Sequence, residues 1–218
     1  MHDTRKRPSL LGLFFCLKYN IINTYMIKDF DKLLDFFIKS LIPETSISVK
    51  KGNKIFGAFI LNKDDLKLEV MGVNNEKENP LFHGEISTII NFFKKKNLDP
   101  KNYYFISSHE PCSMCLSAIT WSGFDNFYFF FPYEDTSSSF NIPHDLNILK
   151  EVFNMNMGNY YIKNNQYWNS FSILNEINKV SKIKREKLLE KVSIIKNHYL
   201  ELSQKYQHNK NKNNIPLN

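Results

Sequence analysis

Cysteine is scarce in this chain: Cys16, Cys112 and Cys115 are the three in 218 residues. Three thiols cannot form a disulfide framework, and the close pair Cys112-x-x-Cys115 suits thiolate chemistry in a reducing compartment, so a cytoplasmic protein is expected. Long apolar runs are missing as well. No stretch approaches the ~18 apolar residues that a membrane-crossing helix needs, so no membrane partner is expected. Nor does a linker-like stretch divide the chain, and 218 residues with 42% hydrophobic content suit one well-packed domain with appendages.

Excess charge is absent from most of the length. The formal net charge is +7, but residues 179–218 hold 10 basic and 3 acidic residues, which leaves 19 of each sign in the first 178. Residues 26–178 carry 15 basic and 18 acidic residues. A slightly acidic body is not a surface built to collect phosphates, so a nucleic-acid partner held through the basic tail is not the favoured reading. Residues 1–25 read as a disordered or weakly structured N-terminal extension. Basic residues followed by the apolar run Leu10 to Leu17 outline a signal peptide, but Lys18 ends the run and no small-residue cleavage site follows. A weak targeting segment is the alternative.

Periodicity organises the body, residues 26–178. Phe30, Leu33, Leu34, Phe37 and Leu41 fall at helical spacing, and Pro43 predicts the end of that helix. Lys54 to Leu61 and Leu66 to Val73 read as strands of a hairpin. Ile86, Ile89, Ile90 and Phe93 mark one face of a second helix, closed by Lys94, Lys95 and Lys96 at its dipole-negative end. Tyr103 to Ser107 reads as a strand, and Pro111 to Gly123 as a helix with proline at its start and glycine at its end. Phe127 to Phe131 is apolar without alternation, as in a strand covered on both faces. This order implies a mixed sheet with parallel central strands and helices on both sides. Glu134 to Ser139 reads as loop, His144 to Phe153 as helix, and 154–178 has no clear period. Leu188, Val192, Ile195, Tyr199, Leu202 and Tyr206 repeat at spacings of four and three, so 179–207 is expected to be a basic amphipathic helix and 208–218 a disordered tail.

A Cys-x-x-Cys can be a redox pair, part of a structural zinc site or part of a catalytic one. Its position after a strand suits all three. His83-Gly84-Glu85 decides between them, because it also sits where a loop gives way to a helix. Zinc takes two thiolates and one imidazole and leaves a fourth position for water, whose pKa falls towards ~7. Cys112, Cys115 and His83 would supply the ligands. Glu85, two residues from His83, would move the water's proton to a leaving amine. A closed structural site needs a fourth protein ligand, for which only Cys16 and His109 are spare.

His83-Gly84-Glu85 with Glu110-Pro111-Cys112-Ser113-Met114-Cys115 resembles the signature of the zinc-dependent cytidine deaminase superfamily, and is most like its guanine deaminase and nucleoside deaminase branch. The resemblance covers roughly residues 27–153. It implies the superfamily's three-layer α/β/α sandwich, bound Zn2+, and hydrolytic deamination of an amino-bearing nucleobase or nucleoside of guanine, guanosine or cytosine type. The tRNA adenosine deaminases share the cysteine motif, and a zinc-stabilised binding protein without turnover is a further alternative. Gly84 stands where relatives usually have alanine. Relatives also place an asparagine before this loop to bind substrate, which makes Asn74 and Asn75 candidates, and Trp121 is a candidate base-stacking wall. A homodimer is the expected assembly.

Overall fold

The computed structural model describes residues 26–156, 158 and 160–218; the expected N-terminal extension, with Cys16, lies outside the described residues. The first helix, α1 (Phe30–Phe36), starts at Asp29, whose carboxylate accepts a hydrogen bond from the Lys32 amide at 3.0 Å. Its apolar stripe is buried as the spacing predicts. Pro43, however, does not end the helix. The chain passes through a π-helical turn, Phe37–Leu41, and continues as α2 (Ile42–Lys50) with Pro43 at its start. Proline lacks the N–H a regular helix would use and crowds the carbonyl four residues back, and the wider π turn accommodates both.

Five strands form one sheet in the order β2-β1-β3-β4-β5: β1 (Gly57–Asn62), β2 (Leu68–Val73), β3 (Tyr103–His109), β4 (Asn126–Phe131) and β5 (Asn169–Ser172). β1 runs antiparallel to both β2 and β3, whereas β3, β4 and β5 are mutually parallel. The sheet is thus mixed, with a parallel centre. Pleating sends alternate side chains to opposite faces. Ala58, Ile60, Phe105, Phe127 and Phe129 meet Phe92, Leu116 and Ile119 from the helices α3 (Gly84–Lys94) and α4 (Ser113–Trp121). Phe59, Leu61, Ile106, Tyr128 and Phe130 join the other core, which α1 and α2 cover together with the last helix. These are the three layers of the expected sandwich.

The apolar face read for α3 meets the sheet only in part: Ile89 packs against the core and Ile86 is half-buried. Gly84, Glu85, Thr88 and Phe92 are buried, while Ile90 and Phe93 are exposed. Thr88 Oγ1 lies 3.0 Å from the Ala58 carbonyl and 2.7 Å from Gly84 O, which share its one hydroxyl proton, so polar partners line this buried face.

Beyond β4, the stretch expected as loop contains a short helix, α5 (Tyr133–Ser138), with Glu134 and Asp135 in its first turn where the helix dipole favours acids. The expected helix at His144 is α6 (His144–Glu151). The unassigned stretch supplies β5 and α7 (Ile173–Asn178). The last helix, α8 (Lys182–Asn209), buries all six residues of its predicted seam. Lys191 on its flank pairs with Asp31 at 2.7 Å and Asp35 at 2.6 Å. After a 3-10 turn, Lys210–Lys212, the segment expected to be disordered folds back on the body. Asn213 Nδ2 donates to Gly52 O at 2.7 Å, Tyr206 donates its hydroxyl to Asn218 Oδ1 at 2.7 Å, and Ile215 is buried. Asparagine composition suggested disorder, but these side chains make the turn bonds that hold the segment. No helix among the described residues is long and apolar enough to cross a membrane.

Candidate metal centre

Two helix N-termini meet at the end of the sheet. His83 is the N-cap of α3, and Cys112 is the N-cap of α4, with Cys115 in that helix's first turn. Pro111 therefore precedes the helix, and Gly123, at φ +81°, follows its end as the sequence predicts. His83 Nδ1 lies 3.6 Å from Cys112 Sγ and 3.7 Å from Cys115 Sγ, and the three donor atoms lie within 4.8 Å of one another. Zinc–sulfur bonds of about 2.3 Å and a zinc–nitrogen bond of about 2.0 Å, at tetrahedral angles, give nitrogen–sulfur edges of about 3.5 Å. The donor set fits zinc.

Electrostatics couple the three donors to one another. A hydrogen bond from Cys115, with His83 beside it, holds the Cys112 thiol well below its ordinary pKa. Burial pushes His83 down, but the neighbouring Cys112 thiolate, Glu85 and Glu76 outweigh it and raise the imidazole to about 9. Glu85 is 4% exposed, and burial raises its carboxyl pKa. Its Oε1 accepts from Ser107 Oγ at 2.6 Å, and its Oε2 lies 3.4 Å from Cys115 Sγ. The carboxylate stands beside the donor triangle without belonging to it. His109, the spare ligand of a closed site, is buried among the rings of Phe56, Phe131, Phe140 and Tyr199 and is held neutral by that burial. Among the described residues no fourth protein ligand joins the three.

Close backbone packing fixes where His83 and Glu85 stand. A Cβ on Gly84 would lie 2.5 Å from Gly57 Cα, at the start of β1. The glycine in place of alanine is therefore required by this chain's own strand. Gly84→Ala is expected to lower stability by about 1–3 kcal/mol, as overpacking does, and to weaken zinc binding by shifting both flanking residues. Thermal melting and zinc titration check this; a variant matching the parent in both would refute the contact.

A cavity of about 230 Å³ opens onto His83 and Cys112. Its wall is largely apolar, and Ile215, Pro216 and Leu217 of the C-terminal segment complete it. Four polar residues face it that sequence reasoning did not single out: Lys54, Glu76, His144 and Asp145. Burial, together with the charge of Cys112, raises the Asp145 carboxyl well above its ordinary pKa. Nothing in the spacing signalled these four, since they come from separate loops and from the start of α6.

The substrate-binding candidates separate. Asn74 is fully buried; its Oδ1 accepts from the Gly84 amide at 2.6 Å, and its Nδ2 has no partner among the described residues. Asn75 bonds Glu78 instead. Both line a neighbouring groove beside β2 and α3 rather than the metal cavity. Trp121, at the far end of α4, is 91% exposed and does not line the cavity, so it is not a stacking wall there. Nine residues of helix rise carry it about 13 Å from Cys112.

Cys112→Ser with Cys115→Ser is expected to abolish zinc binding and lower the melting temperature, because metal binding at such a site is coupled to folding. Metal analysis of the purified variant checks this, and full zinc occupancy would sink the ligand assignment.

The chain is similar at low identity to several solved structures. A guanine deaminase structure from Nitrosomonas europaea aligns at 12% identity and TM-score 0.44, covering 73% of this chain and 80% of that one. A guanine deaminase from Bacillus subtilis aligns at 23% identity and TM-score 0.41, covering 52% and 75%. A structure from a study of tRNA:A34 deaminases aligns at 16% identity and TM-score 0.42, covering 62% and 95%. No curated protein matches the chain significantly. Residues 32–131, which hold His83, Glu85, Cys112 and Cys115, match the cytidine and deoxycytidylate deaminase zinc-binding region, and over that stretch the chain is similar to the cytidine deaminase superfamily.

Proposed function

We propose that this chain is a zinc-dependent hydrolytic deaminase acting on an amino-bearing nucleobase or nucleoside. The observation that carries the reading is Glu85, a buried carboxylate beside the donor triangle yet outside it. A merely structural site has no use for such a group. When bound, zinc lowers the pKa of a water towards ~7. Glu85 takes that water's proton and passes it to the departing amino group, which leaves as ammonia while the ring carbon keeps the water's oxygen. Ser107 holds the carboxylate in place through Oε1.

The cavity supports a small, uncharged substrate. Its cation, Lys54, is engaged by Glu76 at 2.7 Å and is not free for a phosphate. Asp145 accepts no hydrogen bond among the described residues and suits a ring edge that offers N–H groups. Asn74 is buried outside the cavity, where it accepts from the Gly84 amide and so braces the turn that carries His83 and Glu85. Ammonia release measured across free bases, nucleosides, nucleotides and tRNA tests the proposal. Release from a base or nucleoside is expected. Release from tRNA alone would move the substrate to RNA, and none from any member by zinc-loaded protein would leave a binding protein.

A further inference from the structure

The Lys54–Glu76 pair is buried beside the metal centre, with side-chain exposures of 6% and 1%. Taking two charges out of water is costly, and apolar residues of the same volume often serve stability as well, so packing alone does not account for the pair. Lys54 engages both carboxylate oxygens: its amide donates to Oε2 at 3.0 Å and its Nζ to Oε1 at 2.7 Å. Oε1 also faces His83 Nε2 at 3.9 Å, an ion-pair separation longer than a direct hydrogen bond. The opposite ring nitrogen, Nδ1, faces the two sulfurs. The imidazole therefore stands between the thiol pair and a fixed carboxylate.

A histidine that ligates through one nitrogen presents its other N–H, and a carboxylate there fixes the tautomer and ring orientation and raises ligand basicity. We infer that Glu76 is a positioning residue for the metal centre, orienting His83 through Nε2 while Lys54 holds the carboxylate. The inference rests on His83 as a zinc ligand. Because Lys54 engages both oxygens, Glu76 is kept as a support rather than a fourth ligand, and the open side of the triangle stays toward the cavity. Neither residue lies on the ligand-bearing helices: Lys54 precedes β1 and Glu76 follows β2.

Zinc affinity, read by competition with a chromophoric chelator, tests the inference alongside melting of the metal-free protein. Lys54→Met with Glu76→Leu exchanges the pair for apolar side chains. It is expected to bind zinc 10- to 100-fold more weakly, the usual cost of losing such a partner, while the metal-free protein melts near the parent temperature. Lys54→Met with Glu76→Gln keeps an acceptor oxygen facing Nε2 and is expected to fall between that variant and the parent. Parent-like affinity in the leucine variant overturns the inference, as does an amide variant no tighter than the leucine one. If the leucine variant does not fold, parent-like affinity in the amide variant overturns it. Zinc retained by the double cysteine variant would instead sink the ligand assignment, a different failure.

Discussion

Glu85→Gln is expected to bind zinc and melt like the parent while turnover falls by roughly 10²-fold or more, the range for removal of a general acid/base. Glutamine has the same shape, and its amide oxygen can still accept from Ser107, which holds Oε1 at 2.6 Å. What it cannot do is take and return a proton. The surroundings of Glu85 suit a proton acceptor, because burial raises its carboxyl pKa above that of an exposed glutamate. The ligand triangle lies outside the substitution, and zinc content is therefore the control. Ammonia release at the parent rate from zinc-loaded Glu85→Gln would rule out the proton shuttle. Lost zinc in the same variant would instead place Glu85 in the ligand set.

The convergence of His83, Cys112 and Cys115 on one candidate metal site was legible because its chemistry is local. His83 and Glu85 stand two residues apart at one helix start, and Cys112 and Cys115 three apart at another. Helix N-termini stabilise thiolates, so the residue types and their element boundaries point to one site. The cavity wall was not legible. Asp145 and His144 come from the start of α6, and Ile215 comes from a segment whose asparagine content reads as disorder. Only the folded chain brings them together. In the fold, Phe127 to Phe131 disclosed a doubly covered strand because its rings divide between the two cores. The face of α3 misled in part, since the close approach of Gly84 to Gly57 rotates Thr88 and Phe92 toward the sheet and leaves Phe93 outside. Tertiary contact overrides apolar periodicity there. Pro43 misled for a related reason: a π turn keeps a buried stripe continuous across a residue that a regular helix would not tolerate.

Deleting residues 182–218 is expected to leave a chain that does not fold. Leu188, Val192, Ile195, Tyr199, Leu202 and Tyr206 are at most 6% exposed, and they pack on the core shared with α1, α2 and the sheet. A fully buried side chain of this kind contributes about 1.5–3 kcal/mol. Six of them together reach the whole net stability of an ordinary domain, about 5–15 kcal/mol. The ion pairs of Lys191 with Asp31 and Asp35 add little beside this, because pairs near the surface are worth under about 1 kcal/mol. A gentler variant keeps the argument measurable if the truncated chain cannot be purified. Ile195→Ala, at a fully buried position, should cost about 2–5 kcal/mol. At roughly 2–4 °C per kcal/mol for a chain of this size, that is a large fall in melting temperature. Binding to tRNA should not change with it, since the substitution touches no charge. The competing idea, that this basic segment is an arm for RNA, makes the opposite demand. A truncated protein that melts like the parent but loses a steeply salt-dependent affinity for tRNA would establish the arm and overturn the packing role.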